Sequence, residues 1–344
     1  MIQRLIRTFC GTTTPWQRMR MTLGCAIFTL LANFIMPVAF AQPASAQSWP
    51  NKPVRVVVPF SAGGTADILG RIVAQQLSIQ LGQPFVIDNK PGAGATIGAS
   101  DVARSPADGY TLMVVTPTFA ITQFVYPNLS YDGTRDFVPV GLLMSTPLTL
   151  IVNPALNLRT TAEFVKAVKA QPGKFSFSSA GNGSTPHLSM ELLKQQLGLD
   201  LLHVPFKGGG EAITAVMAGT TSSYFSAPIE VNQHVNAGRL VLLGSTSLTR
   251  TPGLAELPTL SETVAPGLEV IHYTAILVKA GTPREIIDKL SENIVRALAT
   301  PAVREKIAQN GDVPKGTVAE ATDLFAREYP RWSRAVKAAK IKPD

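Results

Sequence analysis

Residues 54–60, V-R-V-V-V-P-F, are a β-branched run that stops at S-A-G-G. A helical apolar period follows at once, with Ile68, Leu69, Ile72, Val73 and Leu77 spaced on one face between Ala66 and Leu81. A short apolar strand feeding a glycine turn and an amphipathic helix is the opening of a βαβ unit. Phe85–Ile87 then reads as a second strand, a short helix follows near Ile97–Ala103, and Thr111–Thr116 reads as a third strand. This β-α-β-α-β order predicts right-handed crossovers on a parallel sheet.

The pattern recurs downstream. Val138–Val152 is a long apolar stretch with Pro147 inside it, and reads as strand passing from one region to another. After it, helices are expected at 161–170, 186–197 and 211–218, and strands at 174–178, 201–205, 223–225 and 240–245. A strand at 271–279 and helices at 283–299, 302–309 and 318–338 finish the chain. Two α/β units joined near 148 and again near 270 predict a two-lobed molecule. Its domains would be 47–148 with 271–344, and 149–270, with a ligand cleft between them.

The first 46 residues stand apart. They carry Arg4, Arg7, Arg18 and Arg20, no Asp or Glu, an apolar run over 21–40 and the small-residue triplet Ala44-Ser45-Ala46. A basic start, an apolar middle and an A-x-A end describe a secretory signal peptide, cleaved after Ala46. The whole chain has 31 Lys+Arg against 23 Asp+Glu, a charge of +8. Without the four leader arginines, 27 basic residues face 23 acidic ones, so half of the apparent basicity belongs to export. No later segment interleaves basic and aromatic residues, so a nucleic-acid partner is not expected. Cys10 and Cys25 both lie in the leader. The exported protein would therefore contain no thiol, which excludes disulfides, cysteine nucleophiles and cysteine-held metals.

Two strand–loop–helix junctions carry the chemistry. One is Phe60-Ser61-Ala62-Gly63-Gly64 before the helix at 65–66; the other is Ser179-Ala180-Gly181-Asn182-Gly183-Ser184-Thr185 before Pro186. Glycine permits close backbone approach, and the first-turn N–H groups are unpaired and partly positive. A carboxylate or phosphate fits such a terminus. Each loop alone could equally be a capped polar turn. Two of them, at the carboxyl ends of parallel strands in different halves, point to a cleft site. A helix terminus contributes about 0.3–1 kcal/mol and each charge-assisted hydrogen bond about 1.5–3. Two loops could thus supply most of the roughly 8 kcal/mol behind micromolar affinity without a cationic clamp.

Other motifs carry less. Gly92-Ala93-Gly94-Ala95-Thr96-Ile97-Gly98 lacks the third dinucleotide glycine, since position 97 is Ile, and no ribose-binding acid follows. His187, His203, His234 and His272 show no metal-ligand spacing and read as surface or core histidines. Ser184 lies in G-N-G-S-T, not in a nucleophile elbow. Pro205–Gly210 is a third glycine-rich opening, at the cleft or simply starting a helix. No cofactor, metal or catalytic set is expected.

The chain resembles the Bug (Bordetella uptake gene) family, similar to the extracytoplasmic receptors of tripartite tricarboxylate transporters. The resemblance spans residues 49–340 and rests on W-P-N-K-P at 49–53, V-P-F-S-A-G-G-T-A-D at 58–67, N-K-P-G-A-G at 89–94, P-A-D-G-Y-T-L at 106–112, S-S-A-G-N-G-S-T-P-H-L at 178–188, H-V-P-F-K-G at 203–208 and A-G-R-L at 237–240. It implies a periplasmic two-domain fold closing on a small carboxylated solute, contacts from 60–65 and 179–185, and handover to membrane permease subunits. A sensory accessory role on a membrane sensor is the alternative, and an exported hydrolase a weaker one. One position departs: where family members often carry Asp after the strand Phe, this chain has Ser226, with Glu230 nearby. That departure turns the expectation from an amino acid toward a dicarboxylate or an aromatic acid.

Overall fold

The computed structural model describes residues 49–339 and 341. The expected leader, its cleavage after Ala46 and both cysteines lie outside the described residues.

In chain order, β1 (Val54–Val58), α1 (Thr65–Leu81), β2 (Phe85–Asn89), α2 (Thr96–Arg104) and β3 (Thr111–Val115) form the first βαβαβ run. Then come α3 (Pro117–Val125), β4 (Phe137–Pro147) and β5 (Thr149–Val152). The second run is α4 (Thr161–Ala170), β6 (Phe175–Ser179), α5 (Thr185–Leu197), β7 (Leu201–Pro205), α6 (Gly209–Met217), β8 (Ser223–Ser226), α7 (Pro228–Asn236) and β9 (Val241–Ser245). β10 (Ile271–Lys279), α8 (Arg284–Ala299), α9 (Pro301–Ala308) and α10 (Val318–Ala339) complete it.

Two five-stranded sheets result, ordered β2-β1-β3-β10-β4 and β7-β6-β8-β5-β9. Each has a parallel part, β2-β1-β3 in one and β7-β6-β8 in the other. The β2-β1-β3 part is parallel as the β-α-β-α-β order predicts, and the remaining strands make each sheet mixed. β10 runs antiparallel to β3 and β4, and β5 antiparallel to β8 and β9. The cause is the way the chain changes sheets. It leaves the first at Pro147, enters the second at Thr149 and returns at Ile271, so the linking strands enter from the end opposite to a helical crossover. Pro147 is tolerated because it closes a strand rather than interrupting one.

β1 and β3, inside the first sheet, bury side chains on both faces, which explains their mostly apolar runs. Val56, Val58, Val114 and Ile276 pack under α1 and α8, while Met113, Val115, Phe119 and Tyr273 fill the opposite face. The second sheet has its own core around Leu150, Phe164, Phe177, Leu188 and Phe225. Two helices cross between the cores. α3 contributes Ala120, Ile121 and Val125 to the second core and Phe119 to the first. α10 places Trp332 and Val336 in the second and Phe325 beside the first. α3 was missing from the sequence reading because P-T-F-A-I-T-Q-F-V is buried on nearly every side and shows no amphipathic stripe.

Candidate functional site

The parallel strands point their carboxyl ends at one another across the gap between the sheets. Three helices begin there: α1 after β1, α3 after β3 and α5 after β6. Their N-termini surround a cavity of about 30 Å³ lined by Phe60, Gly64, Thr65, Ala66, Thr116, Thr118, Ala180, Pro186, Gly209, Tyr224, Glu230 and His272. That is roughly one water molecule's share of the liquid.

The β1–α1 loop is held from below. Asp67 accepts from the Gly63 N–H at 3.0 Å, from Asn89 Nδ2 at 3.0 Å and from Arg71 Nε at 3.0 Å. Asn89 also donates to the Phe60 carbonyl at 3.1 Å. Burial alone would raise the Asp67 pKa; the hydrogen bonds from Arg71, Gly63 and Asn89 outweigh it and hold it below the usual range. Gly63 takes φ +85°, a conformation that only glycine adopts without strain. Across the gap, the Ser61 N–H donates to the Lys207 carbonyl at 3.1 Å.

The α1 terminus meets a carboxylate supplied by the chain itself. Glu230 Oε1 accepts from the Thr65 N–H at 2.6 Å and from Thr65 Oγ1 at 2.7 Å. Its Oε2 accepts from Ser226 Oγ at 2.6 Å and from the Ala227 N–H at 3.3 Å. Burial pushes the Glu230 pKa up, and these four donors pull against that shift. Ser226 thus holds the Glu230 carboxylate in place. The sequence reading noted Glu230 only as an acid near Ser226, and the helix α7 that carries it was not expected.

The β6–α5 loop rests on two stacked imidazoles. The His187 and His203 rings lie 3.8 Å apart between centroids, against Phe177. His187 Nδ1 accepts from the Gly183 N–H at 3.2 Å, and His203 Nε2 lies 2.7 Å from Ser179 Oγ. Burial lowers the His187 pKa to about 3, helped by the neighbouring His203 and Lys194, and lowers the His203 pKa to about 4, helped by Lys194. Ser184 Oγ caps α5 by accepting from the His187 N–H at 3.4 Å. Thr185 reaches the other side: its N–H donates to Thr118 Oγ1 at 3.2 Å.

The residues singled out from sequence therefore sort by position. Phe60, Gly64 and Ala180 line the central cavity. Ser61, Ala62 and Gly63 face an outer groove of about 780 Å³ shared with Phe206, Gly210 and Glu211. Gly181 borders a rim groove of about 390 Å³ opposite Gly92–Ala95. Ser179, Gly183, Ser184, Thr185 and Ser226 lie behind the wall and build it. The Gly92–Gly98 run, rejected as a nucleotide loop, lies at this rim, and a Cβ on Gly94 would stand 2.6 Å from the Asn182 carbonyl. Thr116, Thr118, Tyr224 and His272 were missed. A Thr-Pro pair at 116–117, directly after a strand, was the available signal for the first two.

Paired sheets with helix N-termini converging on an interlobe cavity define a solute-binding receptor of the periplasmic type. Residues 69–341 match the tripartite tricarboxylate transporter family receptor, and the chain belongs to that family. It is similar to the periplasmic binding protein BugD, at 30% identity and TM-score 0.82 over 86% of this chain and 100% of that one. It is similar to R. palustris Rpa4515 solved with adipate, at 33% identity and TM-score 0.82 over 86% and 100%. MatC (Rpa3494) from Rhodopseudomonas palustris, with bound malate, matches at 30% identity and TM-score 0.80 over 84% and 100%. The family is one of periplasmic receptors, not enzymes.

Proposed function

We propose that this chain captures a small carboxylated solute between two lobes, 47–148 with 271–344 and 149–270, and delivers it to the membrane permease of a tripartite tricarboxylate-type transporter. The observation that carries the reading is the convergence of the α1, α3 and α5 N-termini on one cavity whose lining holds no Lys or Arg. Backbone and hydroxyl donors then provide the affinity for a carboxylate. Phe60, Ser61, Ala62, Gly63 and Gly64 from one lobe and Ser179, Ala180, Gly181, Gly183, Ser184 and Thr185 from the other form the two jaws, with Ser226 acting through Glu230. The adipate and malate held by two similar receptors support a dicarboxylate. An aromatic acid is the other expected class, and the Glu230 carboxylate near Ser226 already accepts four hydrogen bonds from the chain itself.

The exported form begins at Gln47 after cleavage behind Ala46 and contains no thiol. Intact mass and thiol titration of the secreted chain test that point. Binding itself is tested by a thermal-shift screen with carboxylic acids followed by calorimetry. A true ligand at 100 times its Kd stabilises the fold by about 2.7 kcal/mol. A screen in which no mono-, di- or aromatic acid stabilises the protein overturns the reading. Docking on a membrane sensor instead of a permease would show as ligand-dependent capture of the sensor's external domain.

A further inference from the structure

The cavity wall contains a polar group that the capture of a carboxylate does not use. His272 opens β10 and is 5% exposed. Neither Nδ1 nor Nε2 has a hydrogen-bond partner, although the residue lines the cavity with Phe60, Thr116, Thr118 and Tyr224. Thr274, two residues on and so on the same strand face, is buried with its hydroxyl also unpartnered. Buried polar groups are nearly always paired, and an orphan is costly. An imidazole with both nitrogens unpartnered, on the wall of this cavity, leaves hydrogen-bonding capacity for what occupies it.

We infer that His272 is a specificity-determining residue that reads a hydroxyl group on the solute, so that the preferred ligands are hydroxy acids. This inference rests on the carboxylate reading above and names its substrate class. The chemistry narrows the choice. Burial of the ring lowers its pKa to about 4, so it stands neutral at physiological pH and offers no charge to a second carboxylate. A neutral imidazole carries an N–H on one ring nitrogen and a lone pair on the other, so the nitrogen facing a ligand is a donor or an acceptor according to the tautomer. A hydroxyl answers both, because it accepts and donates. A carboxylate answers only the N–H, and an ammonium only the lone pair. The helix termini hold the carboxylate, and His272 distinguishes the hydroxylated acid from its parent.

The test uses matched acids that differ by one hydroxyl: butyrate against 2-, 3- and 4-hydroxybutyrate, and succinate against malate. Calorimetry on the exported protein should show at least one hydroxy acid binding about tenfold more tightly than its parent, the ratio expected for one hydrogen bond to a buried group. His272→Phe should bring that ratio close to one, and His272→Gln, which keeps a donor and an acceptor, should retain most of it. Nitrogen-15 histidine spectra of the unaltered protein read the contact without substitution: the hydroxy acid should move the His272 ring signals beyond any shift its parent causes. If parent and hydroxy acids bind equally, or the preference survives in His272→Phe, the inference fails while carboxylate capture stands. If none of these acids nor any other carboxylate binds, both fail together.

Discussion

Glu230 of one sheet's helix α7 and Thr65 at the head of the other sheet's α1 are joined by two hydrogen bonds, 2.6 Å from the Thr65 N–H and 2.7 Å from its hydroxyl. The bond pair spans the cleft and places a side-chain carboxylate on a helix N-terminus, where an anionic ligand would otherwise be drawn.

Removing that carboxylate should loosen the closed arrangement. Glu230→Ala leaves the Thr65 N–H and hydroxyl, Ser226 Oγ and the Ala227 N–H without their acceptor. Unsatisfied buried donors cost about 1–3 kcal/mol each, and water entering an opened cleft relieves part of that, so a net loss of about 2–4 kcal/mol is expected in urea unfolding. Spin labels on engineered cysteines, one per sheet, should report a longer and broader distance in the variant. Wild-type stability together with an unchanged distance distribution would show that the bridge holds nothing.

A second test isolates the closeness of the two sides. Gly210 lies in the first turn of α6, where a Cβ would collide with the Ala62 carbonyl and press on Gly63 Cα at 3.4 Å. Within a helix, alanine is favoured over glycine by up to about 1 kcal/mol. That gain is set against a backbone clash in the closed form, so Gly210→Ala should lower the thermal midpoint modestly while weakening ligand binding at least about tenfold, the loss expected when closure is blocked. Unaltered affinity would mean that the β1–α1 and β7–α6 loops need not meet for capture.

Much of this architecture was legible in the sequence, for identifiable reasons. β1 and the β1–α1 loop announced themselves because a doubly buried strand is continuously apolar and its turn needs Gly63 at positive φ. Val138–Val152 was read as strand material passing between regions, and the structure divides it at Leu148 between the two sheets. What stayed hidden depends on contacts distant in sequence. His272 looks like any strand residue until β10 returns to the first sheet beside β3. Glu230 lies 165 positions from Thr65, and no local pattern connects them. The all-round burial of α3 erased the periodicity that would have revealed it.

Acid should destabilise the fold through its histidines. Burial lowers the pKa values of His187, His203 and His272 to about 3, 4 and 4, below the roughly 6.5 of an unfolded histidine. Between those limits the unfolded chain binds more protons, so stability is complete above about pH 6.5 and falls as the pH drops toward 4. Each histidine contributes roughly 1.5 kcal/mol of loss between pH 7 and 5. Glu230 works in the opposite direction, because its folded pKa is raised. Urea unfolding at a series of pH values should show two to three protons taken up per molecule near pH 5, as linkage for about three buried histidines requires. A flat profile over this range would mean that the three rings are already protonated in the folded state.

Closure should discriminate among ligands by their reach. The cavity of about 30 Å³ is too small for a four-carbon acid, so capture requires an open form that the solute enters and that closes again around it. A ligand shifts such an equilibrium only by its differential affinity for the closed form. Contact with both the α1 and α5 termini supplies that difference, and contact with one of them does not. Malate or adipate is long enough to touch both jaws, whereas acetate fills one end. Small-angle scattering at saturating concentration should then give a smaller radius of gyration with a true ligand than with acetate, as in hinge closure of two-lobed receptors. Gly210→Ala, unable to bring its loops together, should keep the larger radius with both. Equal radii for wild type under a tightly bound acid and under acetate would mean that the lobe spacing is preset, and capture would then work through the loops alone.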